Sequence, residues 1–447
     1  MKIKFILPAL EEAKSPFMRP IKYSLFPPLG LATLAALCDP DDEITLWDGH
    51  VERVDAEDAP DLAVIQTYIT NAHRAYALAD AYRAKGVYVA MGGLHASSLP
   101  EEALAHADSV LVGMGEHIFP EFLRDLRRGE ARQLYRAGKA RLEGIPLARR
   151  DLIKRHKYLV PNSMLISRGC PNACDFCYVS AFYKGGKSYY TYRLDRVLEE
   201  IDSLPGQHLY FLDDNLTADR RLAEDLFREL RGMNRVFQGA ITVRDAQDAA
   251  LMRLAHDAGF RSAFIGFESI QPENLRAAGK RANQGYDYRR AIHVLDEAGV
   301  MINGSFIFGM DDDTQETFRT TTDWAIANGI ATATFHILTP YPGTALYQRY
   351  LPRIRVHDWK RYDTRHLVFE HPRLTAAQME AGYWRAYRDF YRLGSVRDAA
   401  LVHASARMRA RHMIYSVAWK KLDPLWKLVV NTGMLGQARR VLECVLR

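Results

Sequence analysis

Three of the chain's five cysteines, Cys170, Cys174 and Cys177, fall within eight positions of the run SRGCPNACDFCYV. Thiols gathered this closely hold a metal or pass electrons. A closed zinc site takes four ligands, usually as two CxxC-like pairs some distance apart. Here the spacing is CxxxCxxC with no fourth cysteine nearby, so a histidine such as His208 or His336 would have to complete a zinc site. That option leaves Phe176, the aromatic between the last two cysteines, without a role. Ferredoxin-type carriers close all four corners of a four-iron four-sulfur cluster, whereas three thiolates leave one iron open to a small chelating molecule. On this second reading Cys170, Cys174 and Cys177 are both the metal ligands and the catalytic residues. Cys38 and Cys444 sit in helical patterns and read as ordinary thiols.

Two series of α/β units must position that loop. In the first, KIKFILPA, EITLWD, DLAVIQT, VYVAMGG and SVLVGMG read as strands, with helices near 30–38, 71–84, 100–107 and 116–128. The pattern predicts a doubly wound, Rossmann-like sheet of five strands over residues 1–130. Loops at the carboxyl ends of its strands carry Gly92, Gly93, Gly113 and Gly115, where an open sheet of this kind binds ligands. Residues 131–160 are polar and basic and read as a linker. A second series over 161–345 has strands at 163–169, 208–215, 236–243, 262–269, 301–309 and 332–340, which predicts a partial (β/α)6 TIM-like barrel. The cysteine loop follows the first of these strands, at the end where barrels keep their chemistry. Residues 346–447 form an aromatic-rich stretch and then a basic helical end.

The loop CPNACDFC within six βα units resembles the radical S-adenosylmethionine superfamily over 163–342. That resemblance implies a 4Fe-4S cluster whose open iron chelates S-adenosylmethionine, and reductive cleavage to a 5′-deoxyadenosyl radical. It also implies a flavodoxin- or ferredoxin-type electron donor. By the same resemblance Phe176 lies near the adenine, and Asp213, Asp214 and Asn215 of LDDN meet the methionyl amino group. Arg244 of ITVRD meets the carboxylate, Glu268 and Ser269 of GFES meet the ribose, and Gly304 and Gly309 let backbone approach the nucleoside. The residues alone leave other readings open. The acids can cap the next helices, Arg244 can pair with Asp245 or Asp248, and the glycines can serve turns or close packing.

FPPLGLATLAAL, QTYITNAH, MGGLHASSLPEEAL and VLVGMGE resemble the cobalamin-binding domain that precedes many such enzymes. The resemblance implies that the glycines admit a corrin and that Gln66 to Asn71, Tyr68 among them, face the cobalt. Enzymes of this build usually methylate carbon or phosphorus centres of specialised metabolites or lipids, while others oxidise or cyclise without methyl transfer. DGHVER departs from the cobalt-ligating DxHxxG signature because Arg53 replaces the glycine, so His50 reads as a loop histidine and the domain either binds cobalamin without a protein ligand or serves as a packing module. LTPYPGTALY and HDWKRYD, with Tyr341 and Tyr362, resemble segments on the substrate side of the cavity.

No apolar run reaches the roughly eighteen residues of a bilayer span, and MKIKFILPALEEAKS turns acidic too early for a secretory leader, so the expected location is cytoplasmic. Net charge is +6, of which residues 401–447 alone supply +7. That basic end, interleaved with Trp419, Leu425, Trp426 and Leu428, suits peripheral contact with an anionic membrane through 404–447, or packing against the barrel with spread Lys and Arg stems. On the membrane reading, removing 404–447 weakens lipid binding and spares the chemistry. No basic stripe lies elsewhere, and no nucleic-acid partner is expected.

Overall fold

β-branched runs one strand long, each followed by a helical pattern, pair in parallel because the returning helix brings the chain back to the same sheet edge. In the computed structural model, which describes all residues except 14–20, 139–140, 184–187, 281–282, 422 and 433, this occurs twice. The first sheet comprises β1 (Lys2–Leu7), β2 (Glu43–Asp48), β3 (Leu62–Gln66), β4 (Tyr88–Gly92), β5 (Ser109–Val112) and β6 (Leu134–Arg136). Its order is β2-β1-β3-β4-β5-β6, all parallel. The sixth strand comes from the stretch expected to be a linker. It is only three residues long, too short for an alternating pattern to show, and is anchored by buried Tyr135, whose hydroxyl donates to Asp125 at 2.8 Å. The strand order reverses between β1 and β3, so the loops after these two strands diverge and open a crevice.

Six parallel strands then form an open barrel in the order β14-β13-β12-β11-β10-β7: β7 (Ser163–Met164), β10 (His208–Phe211), β11 (Val236–Ile241), β12 (Phe260–Glu268), β13 (Met301–Phe308) and β14 (Thr332–Ile337). The expected first strand, 163–169, is split. Only Ser163 and Met164 join the barrel, while β8 (Ser167–Gly169) pairs antiparallel with β9 (Tyr189–Thr191). The cause lies across the sheet, where the Asp213 carboxylate accepts from Ile166 N at 3.1 Å and from the Ser167 hydroxyl and so ends the ladder. The cysteine loop therefore leaves a two-stranded ribbon rather than a barrel strand. On the far edge, the helix Ala376–Phe390 covers β14: Tyr387 OH accepts from Phe335 N at 3.1 Å, and Tyr391 OH accepts from Ala333 N at 3.1 Å. Edge backbone that would otherwise invite another strand is thereby satisfied.

The basic end packs inward. Met408, Tyr415 and Leu446 are buried against Val236, Met301 and Ala331 of the barrel, while Trp426 and Leu435 are buried against Leu159 and Val160. Trp426 Nε1 donates to Ser24 Oγ at 2.7 Å and Arg439 Nε to the Tyr158 carbonyl at 2.9 Å. Removing 404–447 would uncover these cores, so the expectation that the deletion spares the chemistry is corrected. The side chains of Lys421 and Lys427 lie outside the described residues. Among the described residues no helix is long and apolar enough to cross a membrane.

Candidate active site

The cysteine loop is gripped at both ends. Gly169 has φ +82°, a value costly for other residues, and a Cβ there would strike the Ser188 carbonyl, which instead receives Cys170 N at 2.8 Å. Asp175 N donates to Ala278 O at 3.3 Å, Leu346 N donates to Asp175 O at 2.9 Å, and Arg349 Nη1 pairs with Asp175 Oδ2 at 2.7 Å. Cys177 N closes a turn on Cys174 O at 3.1 Å, and Cys177 precedes the short helix Tyr178–Phe182. Cys174 is buried and Cys170 and Cys177 are half-buried. Asn172 Nδ2 donates to Cys170 Sγ at 3.5 Å.

Beneath the loop lies a charge the sequence reading did not single out. Lys280 Nζ pairs with Glu268 Oε1 at 2.8 Å and sits 5.9 Å from the centre of the Phe176 ring. Glu268 folds back with φ +61° into the space a Cβ on Gly266 would fill. Burial works against the Lys280 charge, but the Glu268 carboxylate outweighs it and holds the ammonium above the usual lysine range. Burial pushes all three thiols up, Cys177 to about 12. Left alone they stay protonated at neutral pH. A metal cluster is the cation that would draw the protons out. Among the described residues no three His, Cys, Asp or Glu side chains gather about one point as a single ion requires, so His208 and His336 complete no such set. A cubane takes its thiolates on separate irons and makes no such demand.

The strand ends differ in how far their groups are already engaged. Asp213 is buried, occupied by Ile166 and Ser167, and its carboxyl is pushed up to about 7 by burial. Asp214 is exposed towards the cleft, makes no hydrogen bond or ion pair with the described residues, and is pushed up to about 6 by the protein around it. Asn215 Oδ1 accepts from Thr217 N at 3.3 Å, while its buried Nδ2 has no partner. Arg244 pairs with Asp245 at 2.9 Å, the alternative its own sequence neighbourhood offered. Ser269 Oγ accepts from Gln271 N at 3.1 Å and Asn274 Nδ2 at 3.4 Å, and so holds the turn that leads into the next helix. Gly304 lies within β13, where a Cβ would meet Phe306 at 3.0 Å and Ile330 at 3.2 Å. Its smallness therefore serves core packing. Gly309, at φ +99°, donates its N–H to Asp313 Oδ2 at 2.7 Å. Asp313 and Asn274, joined at 2.8 Å, are a second pair that sequence reasoning missed.

In the first domain the four predicted glycines face protein. A Cβ on Gly92 would meet Leu111, on Gly93 (φ +101°) Thr67, on Gly113 Ala137 and on Gly115 Leu34. They bring the loops after β3, β4 and β5 together: Thr67 N donates to Gly92 O at 2.7 Å and Gly113 N to Ser97 Oγ at 3.0 Å. His50 is spent on the fold, since Nδ1 faces Asp48 at 2.7 Å and Nε2 accepts from Leu10 N at 3.1 Å. Tyr68 stands at the switch point and lines a cavity of about 380 Å³ that also touches Glu12, Tyr23, Tyr178, Tyr341 and Tyr362. This cavity runs from the β1 and β3 loops to the residue following Cys177, and its size suits a small molecule. The two domains are bridged beside it by Arg168, whose Nη2 meets Glu116 Oε1 at 2.8 Å.

Residues 164–325 match the model of the radical SAM superfamily. The bacteriochlorophyllide d C-12(1)-methyltransferase of Chlorobaculum tepidum is 29% identical over 381 residues, covering 82% of each chain. The radical S-adenosylmethionine methyltransferase TsrM of Kitasatospora setae, solved with cobalamin and a 4Fe-4S cluster, superposes with a TM-score of 0.64 at 17% identity, covering 98% of this chain and 99% of that one. OxsB, a cobalamin-dependent S-adenosylmethionine radical enzyme, superposes with a TM-score of 0.69 at 13% identity, covering 95% and 72%.

Proposed function

The chain belongs to the radical S-adenosylmethionine superfamily, and from that premise we propose that it is a cobalamin-dependent methyltransferase acting on an unactivated carbon or phosphorus centre of a specialised metabolite or lipid. The observation that carries this reading is the cavity itself, which joins the crevice of the first domain to the cysteine loop of the second. Methyl transfer by two cofactors needs both to face one substrate, and a cavity that touches both domains allows that.

Cys170, Cys174 and Cys177 would hold a 4Fe-4S cluster, and the free carboxylate of Asp214 and the unpartnered amide of Asn215 would receive the amino acid end of S-adenosylmethionine. A corrinoid would rest against Tyr68, Ile69 and Thr70 and against Leu94, His95 and Ser98, with no ligand from His50. When bound, these groups supply a 5′-deoxyadenosyl radical and a transferable methyl group. The protein's share is to orient and shield. Phe176 and Lys280 close the inner side of the cysteine loop, and Tyr178 and Tyr341 line the cavity beside it. A one-electron donor of the flavodoxin or ferredoxin type must reach the loop from outside. The outward part of the basic end, where Leu425, Leu428 and Val441 are each more than half exposed beside Arg440, is the face that would meet anionic lipid.

Anaerobic reconstitution tests the whole. The expected product is a brown protein that retains iron, sulfide and corrinoid and forms 5′-deoxyadenosine from S-adenosylmethionine. Cys174→Ala should lose iron, sulfide and cleavage together, and a colourless zinc protein would overturn the proposal. A corrinoid-free protein that still forms 5′-deoxyadenosine would overturn the methyl-transfer part and leave a radical oxidoreductase or cyclase.

A further inference from the structure

Val236, Met301 and Ala331 stand at the starts of barrel strands, at the end opposite the cysteine loop, and Met408 and Tyr415 of the helix Ala406–Lys421 are buried against them. Three guanidinium groups gather where that helix crosses. Arg261, the second residue of β12, donates through Nη1 to His256 O at 2.6 Å. His256 lies against Gly299, whose carbonyl accepts from Arg411 Nη1 at 3.3 Å, while Arg411 Nε donates to Val445 O at 2.9 Å. Arg407, one helical turn before Arg411, donates to the backbone oxygen of Arg447. Carbonyls satisfy these N–H groups but leave the charges unbalanced. Among the described residues none of the three arginines forms an ion pair: Asp257 lies instead 4.0 Å from Arg231 and 3.9 Å from His256. The stretches outside the described residues contain no Asp or Glu. Burial, and after it the charges of Arg261 and Arg407, pulls Arg411 down to about 10. Like charges held this close repel, and water screens a buried one poorly.

A phosphate group is the counter-ion such a cluster fits, because the forked N–H groups of guanidinium match its oxygens. What lies next to the cluster is apolar. Arg407 and Ile414 are seven residues apart on one face of their helix, about 10 Å along its axis, and Ile414 is 50% exposed. Val441 of the helix Leu435–Leu446 is 56% exposed, and with Ile414 it edges a hollow of about 160 Å³ between the two helices, lined further by Tyr415, Trp419, Trp426 and Val445. Val445 joins the two features, lining the hollow and meeting Arg411 through its carbonyl. We infer that this end of the barrel holds one anionic phospholipid, with its phosphate on Arg261 and Arg407 and an acyl chain in the hollow. Arg411 adds its field from behind. This contact narrows the lipid face proposed above to a single site and rests on that reading for its membrane, while no step of the chemistry enters it.

The test floats the anaerobically purified protein with vesicles of phosphatidylcholine alone and of phosphatidylcholine with phosphatidylglycerol in equal parts. The mixed vesicles should bind it about tenfold or more tightly. Arg407→Gln and Arg261→Gln should each lower that affinity about fivefold, one cation's share at an anionic surface. Arg221→Gln, which removes a 94% exposed arginine on the barrel's flank, should leave it unchanged. Phosphatidylglycerol brominated on its acyl chains should quench a smaller fraction of the fluorescence after Trp419→Phe, and an undiminished fraction overturns the placement of the chain. Equal binding to both kinds of vesicle overturns the inference even if a variant does not fold. So does a loss in Arg221→Gln as large as that in Arg407→Gln, which would reduce the effect to net charge. Release from the vesicles by glycerol phosphate at matched phosphate concentration would put a soluble phosphate in the lipid's place and overturns it as well. Iron, sulfide and 5′-deoxyadenosine measured on the same parent sample report on the enzyme reading separately, so either can fail without the other.

Discussion

A buried ammonium is tolerated only against a counter-charge, and Lys280 meets Glu268 at 2.8 Å with both side chains at most 15% exposed. Lys280→Met would leave the Glu268 carboxylate buried alone, at a cost of about 3 kcal/mol, the lower end for breaking such a pair. Urea denaturation of the purified protein checks this, and Lys280→Arg should recover part of the loss. Spacing made the three cysteines legible, because CxxxCxxC is local and Phe176 completes it. Lys280 was not legible. It acquires its meaning from Glu268, brought to it by the fold, and a lone Lys in a sequence reads as solvated surface. Asp213, Arg244, Ser269 and Gly304 were found by motif, yet their contacts are with the protein, which leaves Asp214 and Asn215 as the engaged-end groups with capacity to spare.

At the scale of elements, the strands of both sheets stood out because β-branched runs alternate with helical periods. What the sequence could not display was where pairing stops. SMLISRG reads as one strand, but the hydrogen bonds of Asp213 to Ile166 and Ser167 divide it, and the second half turns to pair with Tyr189–Thr191. The ribbon so formed depends on Gly169. Gly169→Ala combines a left-handed φ with a steric clash at Ser188 and should cost at least about 1 kcal/mol while lowering the iron retained after reconstitution. Gly86→Ala is the control, since Gly86 shares the positive φ (+76°) with nothing within 4 Å and lies far from the loop. It should lose stability and keep iron. Equal iron loss in both would mean that the ribbon has no special hold on the cysteines.

Across the whole molecule, opposed sets of buried titratable groups shape the response to acid. Burial pushes His412 down to about 3 and His208 down to about 4, whereas it pushes the carboxyl of Asp213 up to about 7 and that of Asp313 up to about 6. Unfolding lets each histidine take up a proton below its ordinary value of about 6.5, so its contribution to stability is lost as pH falls. The aspartates act oppositely, because the folded protein protonates them first. His412, hydrogen-bonded through Nδ1 to His403 Nε2 at 2.8 Å with Asp296 beyond, is separable by one substitution. Relative to the parent, His412→Asn should gain up to about 1.4 kcal/mol of stability for each pH unit below 6.5, as read from urea melts at successive pH values. A constant difference at every pH would show that His412 does not stay neutral in the folded protein. The contacts of Trp426 with Ser24 and of Arg439 with Tyr158 carry a temporal consequence. Helices that follow the barrel in the chain secure residues made long before them, so the hollow between the two sheets cannot take its finished shape until those helices have been made and packed. On the proposed function the cofactors enter after that packing, and a protein cut short before Trp426 would fail first as a receptacle for them.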